Sequence, residues 1–598
     1  MSPRYFQLLA FCLLPFFAWA QAGDISSPGR ADPSLVQISP PPAESAPNSR
    51  AAPSAITEEG KVQFRAQTIL VQVPVVVTDK SGDHVHGLTR SDFHIFENGK
   101  EQKIATFEEI VATSKPLPVA PLPPGEFSNL ALSDRQPRPV AVIALDTINT
   151  PLLDQANARR ALIKYLAENL DSVQVLALMI ITSHGVKVVH GLTDDPAQLV
   201  QLVKTASPDQ PALLGLGPDT QANAVVGDIP NHPTAADLNR PFAAAAAALA
   251  RGDTINAQSQ QQRAIEQTLN AFLEIAWSLS GVPGRKSLIW ATGGFPFAIS
   301  SADQVPGGYL APLYERAMQA LDAAQISVYP VDVRGLVATD ASAAVIAATA
   351  PEFARQVSNR TDFQRTEIQT FIEFADMTGG KAFYNTNDLA SSFKSAAEDA
   401  SSYYLAGYYL DTLDKKAGWR DLKIKVDKKD AEVRAREGFF VTNITMNPDL
   451  TRSYDLDFAL SSPIDGTGVP LSVKWLGASG AGVKKNTEFL VHLPPGSVSV
   501  EGTKRQKRVN FDFVAAAYPN DPEAAAHTSN TKTETSPITI SRTVTTSVSD
   551  TQLVSLLANG IDMKNTLQLA SGEYLVRVVI RDNLTGKIGS VTATLTVN

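Results

Sequence analysis

The chain has 598 residues, a formal net charge of −9 and a single cysteine, Cys12. A length of this order predicts several domains, and the mildly acidic balance argues against nucleic-acid binding, which requires a clustered basic face. One cysteine excludes disulfide bonds within the chain. The apolar runs Val175–Ile181 and Phe242–Ala250 are far shorter than the roughly 20 residues of a membrane span, so we expect no transmembrane anchor once the N-terminal segment is removed.

Residues 1–20 have the three parts of a secretory signal peptide. A basic start precedes the apolar stretch Leu8–Phe17, and Ala18–Ala20 provides a small-x-small cleavage site. The only cysteine lies inside the apolar stretch, so the mature chain would carry no thiol. We therefore expect an exported protein, periplasmic or extracellular. Residues 21–60, rich in Pro, Ser and Ala, are predicted to form a disordered tether.

Residues 61–112 are predicted to form a small β module. The run Ile69–Val77 has the period-2 pattern of a strand. Farther along, the pair Asn98-Gly99 between two apolar-alternating segments predicts a tight hairpin turn. A Pro-rich linker, residues 113–138, follows the module.

Residues 139–410 show an alternation of buried strands and helices. Short apolar runs such as Val140–Leu145 and Ile326–Val331 are typical of parallel strands that are covered on both faces. Helical spacing separates these runs, which predicts a doubly wound, Rossmann-like parallel sheet with helices on both faces. The Ala-, Gln- and Pro-rich residues 206–260 interrupt the pattern, and we interpret them as a surface insertion that is partly helical.

The remainder of the chain is rich in β-strand patterns. Residues 411–443 are predicted to be a β extension of the α/β region. Residues 450–598 show recurrent short strands with turn signals between them, among them the alternating Tyr574–Ile580. This arrangement predicts an immunoglobulin-like β-sandwich. The predicted fold class is therefore multi-domain α/β plus β.

The segment Asp146–Thr150 follows the first buried strand of the α/β region and reads Asp-Thr-Ile-Asn-Thr. It resembles the Asp-x-Ser-x-Ser core of the metal-ion-dependent adhesion site in von Willebrand factor A (VWA) domains. More widely, the chain is similar to the secreted VWFA-related proteins typical of Acidobacteria. The segments that carry this resemblance are Gly87–Phe93, Arg285–Trp290, Val328–Asp332, Thr378–Gly380, Tyr404–Tyr409 and Arg434–Phe440.

The resemblance implies a ligand site at the carboxyl ends of the strands, where open parallel sheets bind ligands. It offers Asp146, Asn149, Thr150 and Thr220 as a degenerate set of ligands for Mg²⁺ or Mn²⁺. Two departures from the motif weaken this set. Ile148 has no oxygen at the middle position, and Thr292-Gly293-Gly294 stands where the family carries Thr/Ser-Asp-Gly.

Other roles for these residues remain open at this point. Thr150 has the residue type and position of a helix N-cap. Asp146 could accept backbone hydrogen bonds at a helix N-terminus, where negative charge is favoured. Thr292 and Asp332 end two other predicted strands, so both belong to the predicted ligand rim, and Asp332 could equally be a capping residue of its loop.

Enzyme signatures are absent from the sequence. It contains no Gly-x-Ser-x-Gly elbow, no phosphate-binding loop and no His-Glu-x-x-His motif. Ser183-His184 is an adjacent pair that a turn explains. We therefore predict a non-catalytic protein that binds a protein or cell-envelope partner, with adhesion as the leading function. The alternatives are an envelope scaffold whose metal site is lost, and a hydrolase with an unrecognised site.

Overall fold

The computed structural model describes residues 70–111, 122–129, 139–169, 174–205, 239–295, 310–336, 351–410, 418–441, 448–480, 482–503, 506–519 and 537–598. All of them belong to one compact unit, Pro47–Asn598. The predicted signal peptide and tether lie outside the described residues, and so do Thr220 and the first part of the predicted insertion, residues 206–238.

The described residues form a mixed α/β structure with several antiparallel sheets. The strands are β1 (Leu70–Thr78), β2 (Phe93–Glu97), β3 (Lys100–Gln102), β4 (Ile104–Val111), β5 (Glu126–Ser128), β6 (Val140–Asp146), β7 (Val175–Thr182), β8 (Gly185–Thr193), β9 (Lys286–Thr292), β10 (Ile326–Asp332), β11 (Ser402–Tyr409), β12 (Gly418–Val426), β13 (Glu432–Arg434), β14 (Gly438–Val441), β15 (Ser472–Ser479), β16 (Lys484–Leu493), β17 (Val500–Thr503), β18 (Gln506–Pro519), β19 (Ile538–Val548), β20 (Ile561–Ala570), β21 (Gly572–Asp582) and β22 (Ile588–Val597). The helices are α1 (Leu152–Glu168), α2 (Pro196–Thr205), α3 (Asn239–Leu279), α4 (Leu310–Ala323), α5 (Pro351–Thr378), α6 (Leu389–Glu398), α7 (Pro448–Ser461) and α8 (Asp550–Asn559).

The central sheet of the α/β part has the strand order β10–β9–β6–β7–β8. Neighbouring strands from β10 to β7 pair in parallel, and β8 pairs antiparallel with β7 at the edge. Every residue of β6, β9 and β10 is buried. Burial on both faces is why these strands are largely continuous apolar runs.

Helices cover both faces of this sheet. Val142 and Ala144 of β6 join one buried cluster with side chains of α3, α4 and α5. Ile143 and Leu145 point the other way and join a second cluster with side chains of α1, α2 and α6. Two details differ from the sequence predictions. The sequence pattern predicts a helix near Glu367–Met377 and a strand at Lys381–Tyr384. The helix is longer, as α5, and the strand is reduced to a single bridge between Val331 and Phe383.

The strands of the predicted N-terminal β module pair with strands that follow the α/β part. Two sheets result, with the orders β13–β1–β11–β4 and β14–β12–β2–β3. They share one apolar core, in which Val73 and Ile95 meet Tyr408 and Leu422. The Asn98-Gly99 hairpin is confirmed between β2 and β3, because both residues have positive φ, 47° and 78°. The described residues of 61–112 and 411–443, which the sequence assigns to separate segments, therefore build one β structure. It also includes β11, which lies at the end of the segment 139–410 that the sequence assigns to the α/β region.

The C-terminal part consists of two antiparallel sheets around one core. One sheet has the order β20–β16–β15–β5, and the other is β17–β18–β21–β22 with β19 paired to β18. Phe489 and Phe513, one from each sheet, belong to the shared apolar core. Strand β5 comes from the predicted linker 113–138, so part of that linker is a sheet edge. No helix in the described part of the chain has the length and hydropathy of a membrane span.

Candidate functional site

The predicted rim residues meet at the carboxyl edge of the parallel sheet. Asp146, Thr292 and Asp332 are the last residues of β6, β9 and β10, and all three are buried. The Oγ1 of Thr292 lies 3.0 Å from Oδ2 of Asp146. The backbone N–H of Val333 donates to the carbonyl oxygen of Thr292 at 3.0 Å, which joins the ends of β9 and β10.

The Asp146 carboxylate is surrounded by hydrogen-bond donors. Its Oδ1 accepts from the backbone N–H groups of Ile148 and Asn149, both at 3.0 Å. Its Oδ2 accepts from Nδ2 of Asn149 at 2.8 Å and from the indole Nε1 of Trp290 at 3.0 Å. The Thr292 hydroxyl is the fifth polar group in contact with the carboxylate. Asp146 therefore accepts backbone hydrogen bonds, as expected, but from loop residues that precede α1 and not from the N-terminus of the helix.

This donor set does not fit a Mg²⁺ or Mn²⁺ ion. Such ions need oxygen lone pairs, whereas the indole of Trp290 can only donate a proton. The amide of Asn149 also presents N–H, because its Nδ2 donates to Oγ1 of Thr268 at 3.0 Å while that hydroxyl donates to the Ala264 carbonyl. In the described part of the chain, no group of three or more His, Cys, Asp or Glu side chains could hold a metal.

Burial raises the pKa of Asp146, and the hydrogen bonds from Asn149, Trp290 and Thr292 act in the opposite direction. A buried carboxylate without partners would cost several kcal/mol. These donors therefore offset the cost of burying the Asp146 carboxylate. The network therefore has a structural explanation that does not need a bound cation.

Thr150 does not cap helix α1. The helix starts after Pro151, and no side chain caps its first turn. Instead, Oγ1 of Thr150 accepts a 2.9 Å hydrogen bond from the backbone N–H of Gly293. The N-cap prediction is wrong because the N-cap position falls on Pro151, one residue later, and the Thr150 hydroxyl is bonded to the loop after β9. Thr150 thus ties the loop after β6 to the loop after β9.

Asp332 is held by an arginine of its own loop. Its carboxylate accepts from Nε and Nη2 of Arg334 at 2.9 and 2.8 Å and from the backbone N–H of the same residue at 3.0 Å. Arg334 also donates from Nη1 to Glu367 of α5 at 2.5 Å. Burial raises the pKa of Glu367, and the charge of Arg334 opposes that rise. Asp332 is therefore a loop-capping residue, one of the two roles open to it from the sequence.

A groove of about 390 Å³ lies beside this edge, between α1, the segment after β10 and the first turn of α6. Three cations line it: Arg160 and Lys164 on α1, and Arg334. Leu153 lies on the same face of α1, one turn before the lining residue Asn157, and is 82% exposed. Leu336 directly follows the lining residue Gly335 and is 60% exposed.

The remaining candidates are Thr220, Ser183 and His184. Thr220 lies outside the described residues. Ser183 and His184 form the turn between β7 and β8, and Oγ of Ser183 lies 3.1 Å from Nδ1 of His184. Within the described ranges no carboxylate hydrogen-bonds to His184, so the pair lacks the third group that would orient a catalytic base.

Two residues of the edge were not singled out from the sequence, Trp290 and Arg334. The signal for Trp290 was present, because an indole N–H inside an otherwise apolar buried strand needs an acceptor. Arg334 follows Asp332 by two residues, which is close enough for a local ion pair, but the sequence does not show that Glu367 completes it.

Comparison with protein-family models found no match for this chain, and comparison with curated proteins found none either. The similarity to VWFA-related proteins therefore remains a prediction from the sequence motifs.

Proposed function

We propose that the chain is an exported, non-catalytic VWA-like protein that binds a protein or cell-envelope partner at the carboxyl edge of its parallel sheet, without a metal ion. In this proposal the α/β part is a doubly wound VWA-type domain, and the C-terminal sheets form an immunoglobulin-like sandwich. The strand order, the helices on both faces of the sheet and the two-sheet core support these assignments.

The groove beside the edge is the observation that carries the proposal. Cationic side chains line it, and two exposed leucines, Leu153 and Leu336, lie close in sequence to its lining residues. Exposed apolar side chains rimmed by polar ones are typical of surfaces that bind partners. A cavity of this size with few carboxylates and no nucleophile in contact with an oriented base supports binding rather than turnover.

The hydrogen bonds around Asp146 support partner binding that does not need a metal ion. If N–H groups occupy the positions around the carboxylate, a partner cannot complete a cation's coordination there. Export is supported by the signal-peptide pattern of residues 1–20.

An envelope scaffold that lacks a ligand site is the second candidate. The saturated Asp146 carboxylate favours it, because a site that no longer holds a cation has lost the recognition chemistry of the resembled family. The scaffold and the binding protein differ in whether the groove matters for partner capture.

Capture from the cell envelope of the source organism, by crosslinking and mass spectrometry, tests the proposal. We expect Leu153→Asp and Arg160→Glu to lose a partner that the unaltered chain captures. Val483→Asp is the matched control, because Val483 is 87% exposed and lies in the C-terminal part; it should retain the partner. Capture that is unchanged in both groove variants would favour the scaffold. Turnover of a hydrolase substrate that His184→Ala abolishes would favour an enzyme.

A further inference from the structure

The C-terminal sheets protect most of their edges within the chain. Strand β5 covers the edge of β15, with Phe127 opposite Val473. The outer edge of β22 also has hydrogen-bond partners. Ser590 N–H donates to the Gly466 carbonyl at 2.9 Å, and Nε1 of Trp475 donates to the Thr594 carbonyl at 3.1 Å. Strand β20 carries exposed charges, Asp562 and Lys564, which discourage pairing.

Strand β19 differs from these edges. It pairs with β18 along its whole length, from Ile538 opposite Ala517 to Val548 opposite Lys507, without a register shift. In an antiparallel ladder, alternate residues point their N–H and C=O groups away from the partner strand. Among the described residues, none outside β18 hydrogen-bonds to the backbone of β19. Within the described part of the chain, the strand therefore presents a long edge without a backbone partner.

The sequence of β19 provides little protection against pairing. It reads Ile-Thr-Ile-Ser-Arg-Thr-Val-Thr-Thr-Ser-Val, with no Pro, Gly, Lys or acidic residue. Its single charge, Arg542, lies on the same face as Ile540 and Val544, which pack toward the core. Natural edges usually carry bulges, prolines or several charges, and an edge with only one charge can accept a further strand.

We propose that β19 pairs antiparallel with β19 of a second copy of this chain, about a two-fold axis at Thr543. In this register Ser541 faces Thr545 of the second copy, and Thr539 faces Ser547. All of these hydroxyl side chains lie on the exposed face of the strand. Cross-strand Thr and Ser pairs stabilise antiparallel sheets.

The other face of β19 supports the same register. Ile538 would face Val548 of the second copy, which is an apolar pair, and Ile540 would face Thr546. Arg542 would face Val544 rather than Arg542 of the second copy, so the only charges on the strand are not placed opposite each other. The edge therefore complements itself, and a symmetric contact between two copies is closed and does not propagate.

Two double variants test the register, because Ser541 and Thr545 are exposed and the ladder with β18 is made by backbone groups. Both variants lose the same long side-chain contact from Thr545 to Asn510, at 3.4 Å, so it does not distinguish them. In Ser541→Lys/Thr545→Lys, each lysine faces a lysine of the second copy. In Ser541→Lys/Thr545→Glu, each lysine faces a glutamate. Sedimentation equilibrium of the full chain over a concentration series gives the dimer dissociation constant, and amide exchange of β19 gives the location of the contact.

We expect the unaltered chain to dimerise, with β19 amides that become protected as concentration rises. The Lys/Lys variant should raise the dissociation constant by roughly tenfold or more, and the Lys/Glu variant should keep it within roughly threefold of the original. A monomer at every concentration would overturn the proposal. A dimer that neither variant weakens, or that both weaken equally, would overturn this register. None of these outcomes depends on the groove.

Discussion

The indole Nε1 of Trp290 donates a 3.0 Å hydrogen bond to Oδ2 of Asp146, and both side chains are buried. The two residues lie on adjacent parallel strands in which Ala144 is opposite Trp290. The indole ring is fixed by edge-on contacts with four phenylalanines, Phe272, Phe295, Phe371 and Phe374. A rigid aromatic cluster thus places a donor where the resembled family places a cation.

Replacement of Trp290 by Phe should show how much this hydrogen bond contributes to the stability of the fold. The variant keeps an aromatic ring in the cluster but leaves a buried carboxylate with one donor fewer, so we expect a loss of about 2 kcal/mol or more in the free energy of unfolding. Chemical denaturation measures it. A double-mutant cycle with Asp146→Ala removes the contribution of the cavity, and its coupling energy should reach about 1 kcal/mol. Strictly additive losses would show that the two side chains do not interact.

Titration with Mg²⁺ and Mn²⁺ should give no saturable binding at Asp146, because the carboxylate already accepts from N–H donors. Calorimetry of the unaltered chain beside Asp146→Ala makes the comparison, with circular dichroism as the check on folding. Saturable binding to one site that the variant loses would contradict the assignment and restore the adhesion-site prediction.

Thr150→Val should destabilise the fold, because the valine cannot accept the hydrogen bond of Gly293 N–H, and this donor is buried. An unsatisfied buried donor costs about 1–3 kcal/mol. Thr150→Ser keeps the hydroxyl and should lose much less. Amide exchange at Gly293 is the local readout, and equal exchange rates in both variants would argue against the contact.

Arg334→Met should be among the most damaging substitutions at the edge. It leaves Asp332 and Glu367 buried without their counter-charge, which costs about 3–5 kcal/mol for a broken buried ion pair. The triple variant Arg334→Met/Asp332→Asn/Glu367→Gln removes the uncompensated charges and should recover part of that loss in thermal unfolding. Failure of the triple variant to recover any stability would mean that packing, not charge, dominates here.

Acid stability should depend on Asp399. Burial acts to raise the pKa of this carboxyl, but the guanidinium groups of Arg285 and Arg434 hold it below its usual value. A carboxyl group with a lowered folded pKa contributes stability above its unfolded pKa, near about 4, and this contribution is lost as the pH falls through the folded value. We therefore expect Asp399→Asn to lower the melting temperature at neutral pH and to converge with the unaltered chain below about pH 4.

The control for this pH series is Asp83→Asn, at an exposed turn. Its melting curve should run parallel to that of the unaltered chain over the whole range. A constant difference for Asp399→Asn across the same range would contradict a role for its ionisation.

Much of the α/β part was predictable because its strands are buried on both faces. Val140–Leu145 and Ile326–Val331 are apolar runs that β6 and β10 reproduce within one residue. Strand partners were not predictable in the same way. Period-2 alternation marks β1 as a strand, but it does not show that β1 pairs with β11 across the entire α/β part.

The candidate site shows the same limit at the level of side chains. Position in a strand predicted that Asp146, Thr292 and Asp332 would reach one edge. The groups that each one contacts depend on register and on loop approach, which bring Trp290 to Asp146 and Gly293 to Thr150. Those contacts surround Asp146 with N–H donors, which are not ligands for a cation.

The placement of β11 has a consequence for the order in which the chain folds. Strands β1 and β4 each pair with β11, which lies beyond the whole α/β part. A sheet built from such distant segments closes slowly, because a long stretch of chain must first be brought together. The α/β part, whose contacts are more local, can therefore fold before the β strands on either side of it. Folding of the α/β part brings the β strands before it close to those after it. A substitution that slows the folding of the α/β part should therefore also leave the edges of β1 and β4 unpaired for longer.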